Sequence, residues 1–323
     1  MTLPEFRLLR PSNLSEVFAA RRAYPGARLL AGGTDLVANL RHGIGRAPTL
    51  IDITAVPGLG DIAEELSSLR IGAAVTLERL SNDPLIALHA PALAQAARQI
   101  AGPAHRTLAT LGGNLCLDTR CIYYNQSAWW RQSNGFCLKY RGERCHVAPE
   151  GNRCRAAYSG DTAPALLALG ATVELGDGTE TGWVDLESMF QEDGAAHLRL
   201  GDSQVLLGVR VPIRSGLLAA YEKARLRGAM DFPLAGVAVA LRREEDRLAD
   251  LRIAVTGTNS RPVLLKDCEA LVGRSIDEKA LQQIDSLVQR QVKPMRTTLT
   301  PAHSRRRMAA ALAVRLARRL WGR

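Results

Sequence analysis

At 323 residues the chain is long enough for two or three domains, and its apolar content of 46% is that of an ordinary globular protein. No uncharged apolar run approaches the roughly 18 residues of a membrane span, and residues 1–16 lack the apolar core of a secretory signal, so a cytoplasmic protein with reduced or metal-bound cysteines is expected. The net charge of +10 is unevenly spread: residues 303–323 are rich in arginine and carry no acid. This stretch reads as a terminal helix that packs Met308, Leu312, Val314, Leu316 and Leu320 onto the body and leaves its arginines in water. It lacks the aromatic interleaving of a nucleic-acid-binding tail, and neither nucleic acid nor membrane is expected as a partner.

In chain order, residues 14–24 predict a helix capped by Asn13 or Ser15, with Val17, Phe18 and Ala20 on its inner side. Residues 27–31 read as a short buried strand ending in Gly32-Gly33-Thr34-Asp35, residues 36–42 as a helix closed by Gly43, and 49–53 as a second strand. This is a βαβ unit with a Gly-Gly turn between strand and helix. From Pro57 to Thr76 the pattern is turns and short strands. Helices are predicted over 77–82 and 86–101, the second interrupted at Pro91. A second glycine turn follows at 110–114. Regular patterning stops between Cys121 and Cys154 and resumes at Ser159 with a helix start, in which Asp161 is the expected cap and Pro164 lies in the first turn. Residues 171–175 read as a strand and the composition break at 176–179 as a domain boundary. Beyond it come a helix (185–190), strands (204–213, 218–225, 250–256), an apolar stretch (233–242) and helices (262–272, 276–290). Strands in runs with helices afterwards make an α+β pattern.

Two patterns bear on chemistry. A Gly-Gly turn lets backbone approach a ligand with no side chain between, and can aim N–H groups at an anion. The first, 29–36 (LLAGGTDL), ends at a helix N-terminus, whose partial positive charge suits a phosphate. The second, 110–115 (TLGGNL), adds the side chains of Thr110 and Asn114. Spacing alone leaves plain turns and a dinucleotide or phosphate site equally open. Gly58-Leu59-Gly60 with Ala63 mimics a Rossmann fingerprint, but Pro57 precedes it and a strand follows, so it reads as a loop.

The second pattern is the segment from Cys121 to Cys154, which holds four of the six cysteines, Cys121, Cys137, Cys145 and Cys154, spaced C-x15-C-x7-C-x8-C. Aromatics and cations, among them Arg131, Lys139, Arg141, Arg144 and Arg153, are interleaved with them. A long irregular segment in a compact domain needs something to hold it, and four thiolates on one metal centre would do so. Zinc sites favour close C-x2–4-C pairs and simple ferredoxin clusters favour C-x2-C runs; with neither present, spacing does not name the metal. His146 reads either as a ligand or as solvent-facing, and Cys116 and Cys268 as core thiols. The charged run 221–233 reads as a solvated strand edge and turn, and no group stands out as a general base.

In this order, LLAGGTDL (29–36), IGAAVTL (71–77), TLGGNL (110–115), SGDTAPALLALGA (159–171) and KARLRGAMDFPLAGVAVAL (223–241) resemble the FAD-binding medium subunits of molybdenum hydroxylases, the family of xanthine dehydrogenases and the CO dehydrogenase flavoprotein. The resemblance covers nearly the whole chain. It implies an α+β fold of the vanillyl-alcohol-oxidase type rather than a Rossmann fold. The implied parts are an FAD-binding domain of two subdomains (1–56 and 57–176), a C-terminal α+β domain with an antiparallel sheet (177–290) and a basic helical tail (291–323). It implies that Leu29, Leu30, Ala31, Gly32, Gly33, Thr34, Asp35 and Leu36 wrap the FAD pyrophosphate with backbone N–H groups. Thr110, Gly112, Gly113, Asn114 and Leu115, with Asp118, would complete the second FAD contact. Asp161 would hydrogen-bond the flavin or its ribityl chain, and Lys223 would lie near the isoalloxazine edge.

One departure stands out. The usual medium subunit passes from its GGN turn to its S-G-D segment through a short loop, whereas here the connection is the cysteine-rich insertion, about 117–157. Such an insertion resembles that of the β subunit of 4-hydroxybenzoyl-CoA reductases. That resemblance implies that Cys121, Cys137, Cys145 and Cys154 ligate a 4Fe–4S cluster and that reduced ferredoxin is the electron donor. The implied partners are a large subunit with the molybdenum cofactor and a small subunit with two 2Fe–2S clusters, in a dimer of heterotrimers that removes the ring hydroxyl of 4-hydroxybenzoyl-CoA to give benzoyl-CoA. This chain would carry electrons and no catalytic residue. The rival readings are a flavin subunit of another molybdenum hydroxylase with a zinc-stapled docking loop, and a non-enzymatic zinc-loop protein that binds nucleic acid.

Overall fold

The computed structural model describes residues 3–322, and its first unit is the small α/β layer expected around the first glycine turn. Strand β1 (Arg7–Leu9), helix α1 (Leu14–Ala23), strand β2 (Arg28–Leu30), helix α2 (Leu36–Arg41) and strand β3 (Thr49–Asp52) form a three-stranded sheet of order β1-β3-β2, parallel throughout. Asn13 caps α1, its Oδ1 accepting the Glu16 N–H at 3.0 Å. Val17 and Phe18 of α1 pack against Ile51 and Ile53, closing one face of the layer. Strand β1 is absent from the sequence reading, because three residues are too few to show a period.

The second unit contains β4 (Ile62–Glu65), β5 (Ser68–Gly72), helices α3 (Leu77–Asn82), α4 (Pro84–His89), α5 (Pro91–Gln99), α6 (Pro103–Arg106), α7 (Leu111–Leu115), α8 (Ala128–Ser133) and α9 (Thr162–Leu169), then β6 (Thr172–Gly176), β7 (Thr181–Asp185) and β8 (Val205–Pro212). Its sheet runs β4-β5-β8-β6-β7 with every pair antiparallel. The expected boundary at 176–179 is instead the turn of the β6–β7 hairpin, and β8 inserts between β5 and β6, so the sheet extends to Pro212. The second glycine turn is itself helical: Gly112 and Gly113 lie inside α7, behind Thr110 as its cap. The Gly58–Gly60 segment is a loop between β3 and β4, as its flanking residues require.

The third unit is an antiparallel sheet of order β12-β11-β10-β9, built from β9 (Leu217–Ala224), β10 (Ala235–Glu244), β11 (Arg247–Thr256) and β12 (Val263–Leu264), with α10 (Glu278–Gln291) and α11 (Ala302–Trp321). Strand periodicity divides its two faces. Val237, Val239 and Leu241 of β10 join Leu316 and Ile284 in one core, while Ala238 and Ala240 turn to the core that contains α9. Helix α9 is buried on every side, as an all-apolar helix must be. The predicted helix at 262–272 is replaced by β12 and a 3-10 turn at Cys268–Leu271, separated by Asp267 in the left-handed region at φ 65°. Helix α11 packs on the sheet as the sequence suggests, and Arg315 and Arg319 reach Glu222 while Arg318 reaches Glu278. Among the described residues no helix is long and apolar enough to cross a membrane. Because Leu316 is fully buried and Arg307 is exposed on the same helix, Leu316→Ala should lower unfolding stability by about 2–5 kcal/mol and Arg307→Ala by less than about 0.5 kcal/mol, measured by denaturant titration.

Candidate cofactor site

The two glycine segments meet through backbone. A Cβ on Gly32 would lie 1.8 Å from the carbonyl oxygen of Leu108, so only glycine permits this approach. Gly33 stands at φ 68°, turning the chain into α2. The N–H groups of Gly32, Gly33, Thr34, Asp35 and Leu36 donate to no acceptor among the described residues. Successive free N–H groups of this kind suit an anionic diphosphate. The Asp35 side chain does not cap α2; its carboxylate takes the Arg120 guanidinium and the Asn39 amide, the latter at 2.9 Å. Arg120 in turn lies over the exposed Phe232 ring, 4.6 Å from its centroid.

At the second segment the hydrogen-bonding groups turn inward. Thr110 Oγ1 accepts the Gly113 N–H at 3.1 Å, Leu111 and Gly112 donate to the carbonyls of Val75 and Ala73, and Leu115 is buried. Asn114 Oδ1 accepts both the backbone N–H and the hydroxyl of Thr162, at 3.0 and 2.8 Å. Thr110 and Asn114, expected to offer side chains to a ligand, therefore hold α7 in shape and tie it to the start of α9. Asp118 is ion-paired with Lys139 of the cysteine insertion at 2.7 Å.

Asp161, the expected cap, makes no capping bond. Its carboxylate is buried and accepts from the Tyr221 hydroxyl at 2.5 Å and the Lys223 ammonium at 3.1 Å. Burial raises the Asp161 pKa, and Lys223 opposes that rise. Composition suggested a solvated edge at 221–225. Strand β9 is indeed an edge, but α5 covers it: Gln95 Oε1 accepts the Tyr221 N–H at 2.9 Å, and the Lys223 side chain is 0% exposed. The turn beyond it is open to solvent, with Leu226, Met230 and Phe232 exposed.

The cysteine insertion is a closed loop. Arg120 and Ala157 exchange two backbone hydrogen bonds, of 2.7 and 2.8 Å, across its base. All six cysteines are free, and Cys121, Cys137, Cys145 and Cys154 line one small cavity with Tyr123, Tyr124, Lys139 and His146. Among the described residues no group of three or more His, Cys, Asp or Glu is set to hold a single metal ion. As a donor set, four thiols around one cavity fit a thiolate-ligated metal centre. The Cys145 thiol is held down to about 5, chiefly by a hydrogen bond from the Cys154 thiol, while Cys121 is pushed up to about 11 by burial. His146 approaches the Phe136 carbonyl with Nε2 and stacks near Tyr123 at 5.3 Å, so its ring is already engaged. Cys268 is buried in the core of the third unit and Cys116 packs against the separate core around α9, as expected of both.

The cations of the insertion divide. Arg131 is 3% exposed and Lys139 is nearly enclosed, whereas Arg141 and Arg144 face solvent. Tyr221, Arg120, Tyr158 and Arg305, each part of the buried polar framework, escape sequence reasoning because no local pattern marks a partner that comes from another unit. A cavity of about 640 Å3 lies elsewhere, lined by Arg199, Arg252, Arg261 and Glu187, and holds none of the expected cofactor residues.

Comparison with known proteins agrees with this architecture. The family model for the FAD binding domain in molybdopterin dehydrogenase matches residues 4–214, and that for the CO dehydrogenase flavoprotein C-terminal domain matches 219–320. The putative xanthine dehydrogenase FAD-binding subunit of Escherichia coli is 28% identical over 88% of this chain and 85% of its own length. The carbon monoxide dehydrogenase medium chain of Hydrogenophaga pseudoflava is 28% identical over 87% of this chain and 85% of its own. A crystal structure of the Cu,Mo-CO dehydrogenase in its cyanide-inactivated form contains a chain that superposes with a TM-score of 0.82 at 23% identity, covering 100% of this chain and 99% of that one. A nucleic-acid-binding zinc-loop protein is thereby set aside, and the chain belongs to the molybdenum hydroxylase family as an FAD-binding medium subunit.

Proposed function

We propose that this medium subunit holds FAD on the paired glycine segments and a 4Fe–4S cluster on Cys121, Cys137, Cys145 and Cys154, and that it serves a 4-hydroxybenzoyl-CoA reductase supplied by reduced ferredoxin. The observation that carries the reading is the cysteine cavity: four thiols of one insertion share it, and the Lys139–Asp118 ion pair braces the insertion at its start, three residues after the second glycine segment. The resemblance of the insertion to that of the reductase β subunit supplies iron as the metal. The expected partners are a molybdenum-cofactor large subunit and a small subunit with two 2Fe–2S clusters.

When bound, the two groups supply electron transfer; the protein's part is to position them and set their potentials through charge and hydrogen bonds. Residues 32–36 offer N–H groups to the pyrophosphate. Asp161 and Lys223, locked to one another and to Tyr221 beneath the surface, hold the backbone of the S-G-D segment and β9 in place at the flavin end. Arg141 and Arg144 present positive charge to an acidic donor protein. The alternative, a zinc-stapled loop on another molybdenum hydroxylase, differs in the metal and in the route of electrons.

Three outcomes test the proposal. Cys137→Ser should remove iron and acid-labile sulfide from the purified chain while its flavin content holds; simultaneous loss of flavin, or zinc in place of iron, contradicts it. Gly32→Ala should lower flavin content, because the added methyl collides with the Leu108 carbonyl, and an unchanged flavin-to-protein ratio would argue against the glycine segments as the FAD site. Replacing Arg141 and Arg144 together by Glu should slow ferredoxin-dependent reduction and weaken its dependence on salt, read by stopped-flow absorbance.

A further inference from the structure

Arg305 sits in the opening turns of α11 with a side chain that is 0% exposed, and among the described residues it meets no carboxylate. Its Nε donates to the Leu234 carbonyl at 3.0 Å, its Nη1 to the Met295 carbonyl at 2.9 Å and to Thr297 Oγ1 at 3.0 Å, and its Nη2 to the Gly257 carbonyl. Every acceptor is neutral. A cation enclosed by neutral dipoles remains a net positive charge in a low-dielectric interior, and such a charge is costly unless an anion lies within reach.

The anion is not far to seek. Thr297, which accepts from Arg305, also accepts the Ile122 N–H through its carbonyl at 3.0 Å, and Ile122 follows Cys121 in the chain. Other charges around the thiols do not offset Arg305. Lys139 is neutralised by Asp118. Arg131, also buried, stacks 4.9 Å from the Tyr140 centroid and leaves Nε and Nη1 without partners. Arg131 and Arg305 thus carry buried charge with no carboxylate partner among the described residues, while four thiolates on a metal centre give that centre net negative charge.

We infer that Arg305, reaching in from the C-terminal helix, is the buried counter-charge of the four-cysteine centre: a positioning residue that favours its reduced, more negative state and links the C-terminal domain to it. The inference rests on the metal-centre reading above and adds to it a determinant from outside the insertion. Arg305→Met removes the charge with little change in length, and Arg305→Lys retains it. Arg315→Met removes an exposed cation from the same helix as a control.

The test is a redox titration of the full-length, metal-loaded chain, followed by visible absorbance and electron paramagnetic resonance, after its metal and sulfide contents are measured. Arg305→Met should disfavour reduction of the cluster at least tenfold, about 59 mV for a one-electron couple. Arg305→Lys and Arg315→Met should stay within about twofold of the parent, and the flavin should not move. An unchanged cluster in Arg305→Met overturns the inference, as does an equal shift in Arg305→Lys or in the flavin. Failure of Arg305→Met to fold with and without metal also overturns it, since it assigns a purely structural role. If the parent chain holds zinc without sulfide, the iron reading fails on its own. The inference is then read from chelator-driven zinc release, which Arg305→Met should accelerate at least tenfold and which, if unchanged, overturns it.

Discussion

A buried polar joint at residues 157–162 holds the second and third units of the chain together. The Tyr158 hydroxyl donates into the C-terminal end of α7, at the carbonyls of Asn114 and Leu115, while its backbone bonds Gly257 and Asn259 of the third unit. Two residues on, a Cβ at Gly160 would fall 2.5 Å from the Asn114 carbonyl, so the chain passes there only as glycine. Asp161 then engages Tyr221 and Lys223 of β9, and Thr162 takes Asn114. The partners come from the second and third units, and each group is buried and hydrogen-bonded. Fully satisfied polar networks in low dielectric are costly to break, and this one fixes the second glycine segment and the C-terminal sheet in one arrangement.

The cysteine insertion is attached to that joint rather than added to the surface. Its base is closed by Arg120 and Ala157, directly before Tyr158, and Arg120 reaches across to Asp35 beside the first glycine segment. Lys139 returns to Asp118, three residues after Leu115. A metal centre in this loop would be mechanically continuous with both glycine segments. The insertion sits between the second glycine segment and the S-G-D segment, where a long loop anchored at both ends by constrained residues adds length without altering the sheet around it.

Much of the fold was legible because its signals are local. Asn13 before an amphipathic run and the proline at the start of α5 each act over a few residues, whereas β10 showed only an apolar stretch because both of its faces are buried. The errors arise where a distant partner decides. The break at 176–179 looks like a boundary because Gly and Asp dominate it, yet β8, arriving some thirty residues later, places the hairpin inside a sheet. Residues 262–272 have helical composition, but Asp267 turns left-handed and the strand β12 completes a ladder. At the site, the cysteines and glycine segments declared themselves by residue type. The inward direction of Thr110 and Asn114, the burial of Lys223 and the enclosure of Arg305 depend on contacts across units, which no window of sequence contains.

The central claim is that one chain of this family carries both a flavin and a four-iron cluster, the second on cysteines that spacing alone cannot assign to any metal. Metal, acid-labile sulfide and flavin contents of the purified chain test it most directly. The account predicts about four iron and four sulfide per chain alongside one FAD. Stoichiometric zinc with neither iron nor sulfide, in a chain that retains its flavin, would contradict it.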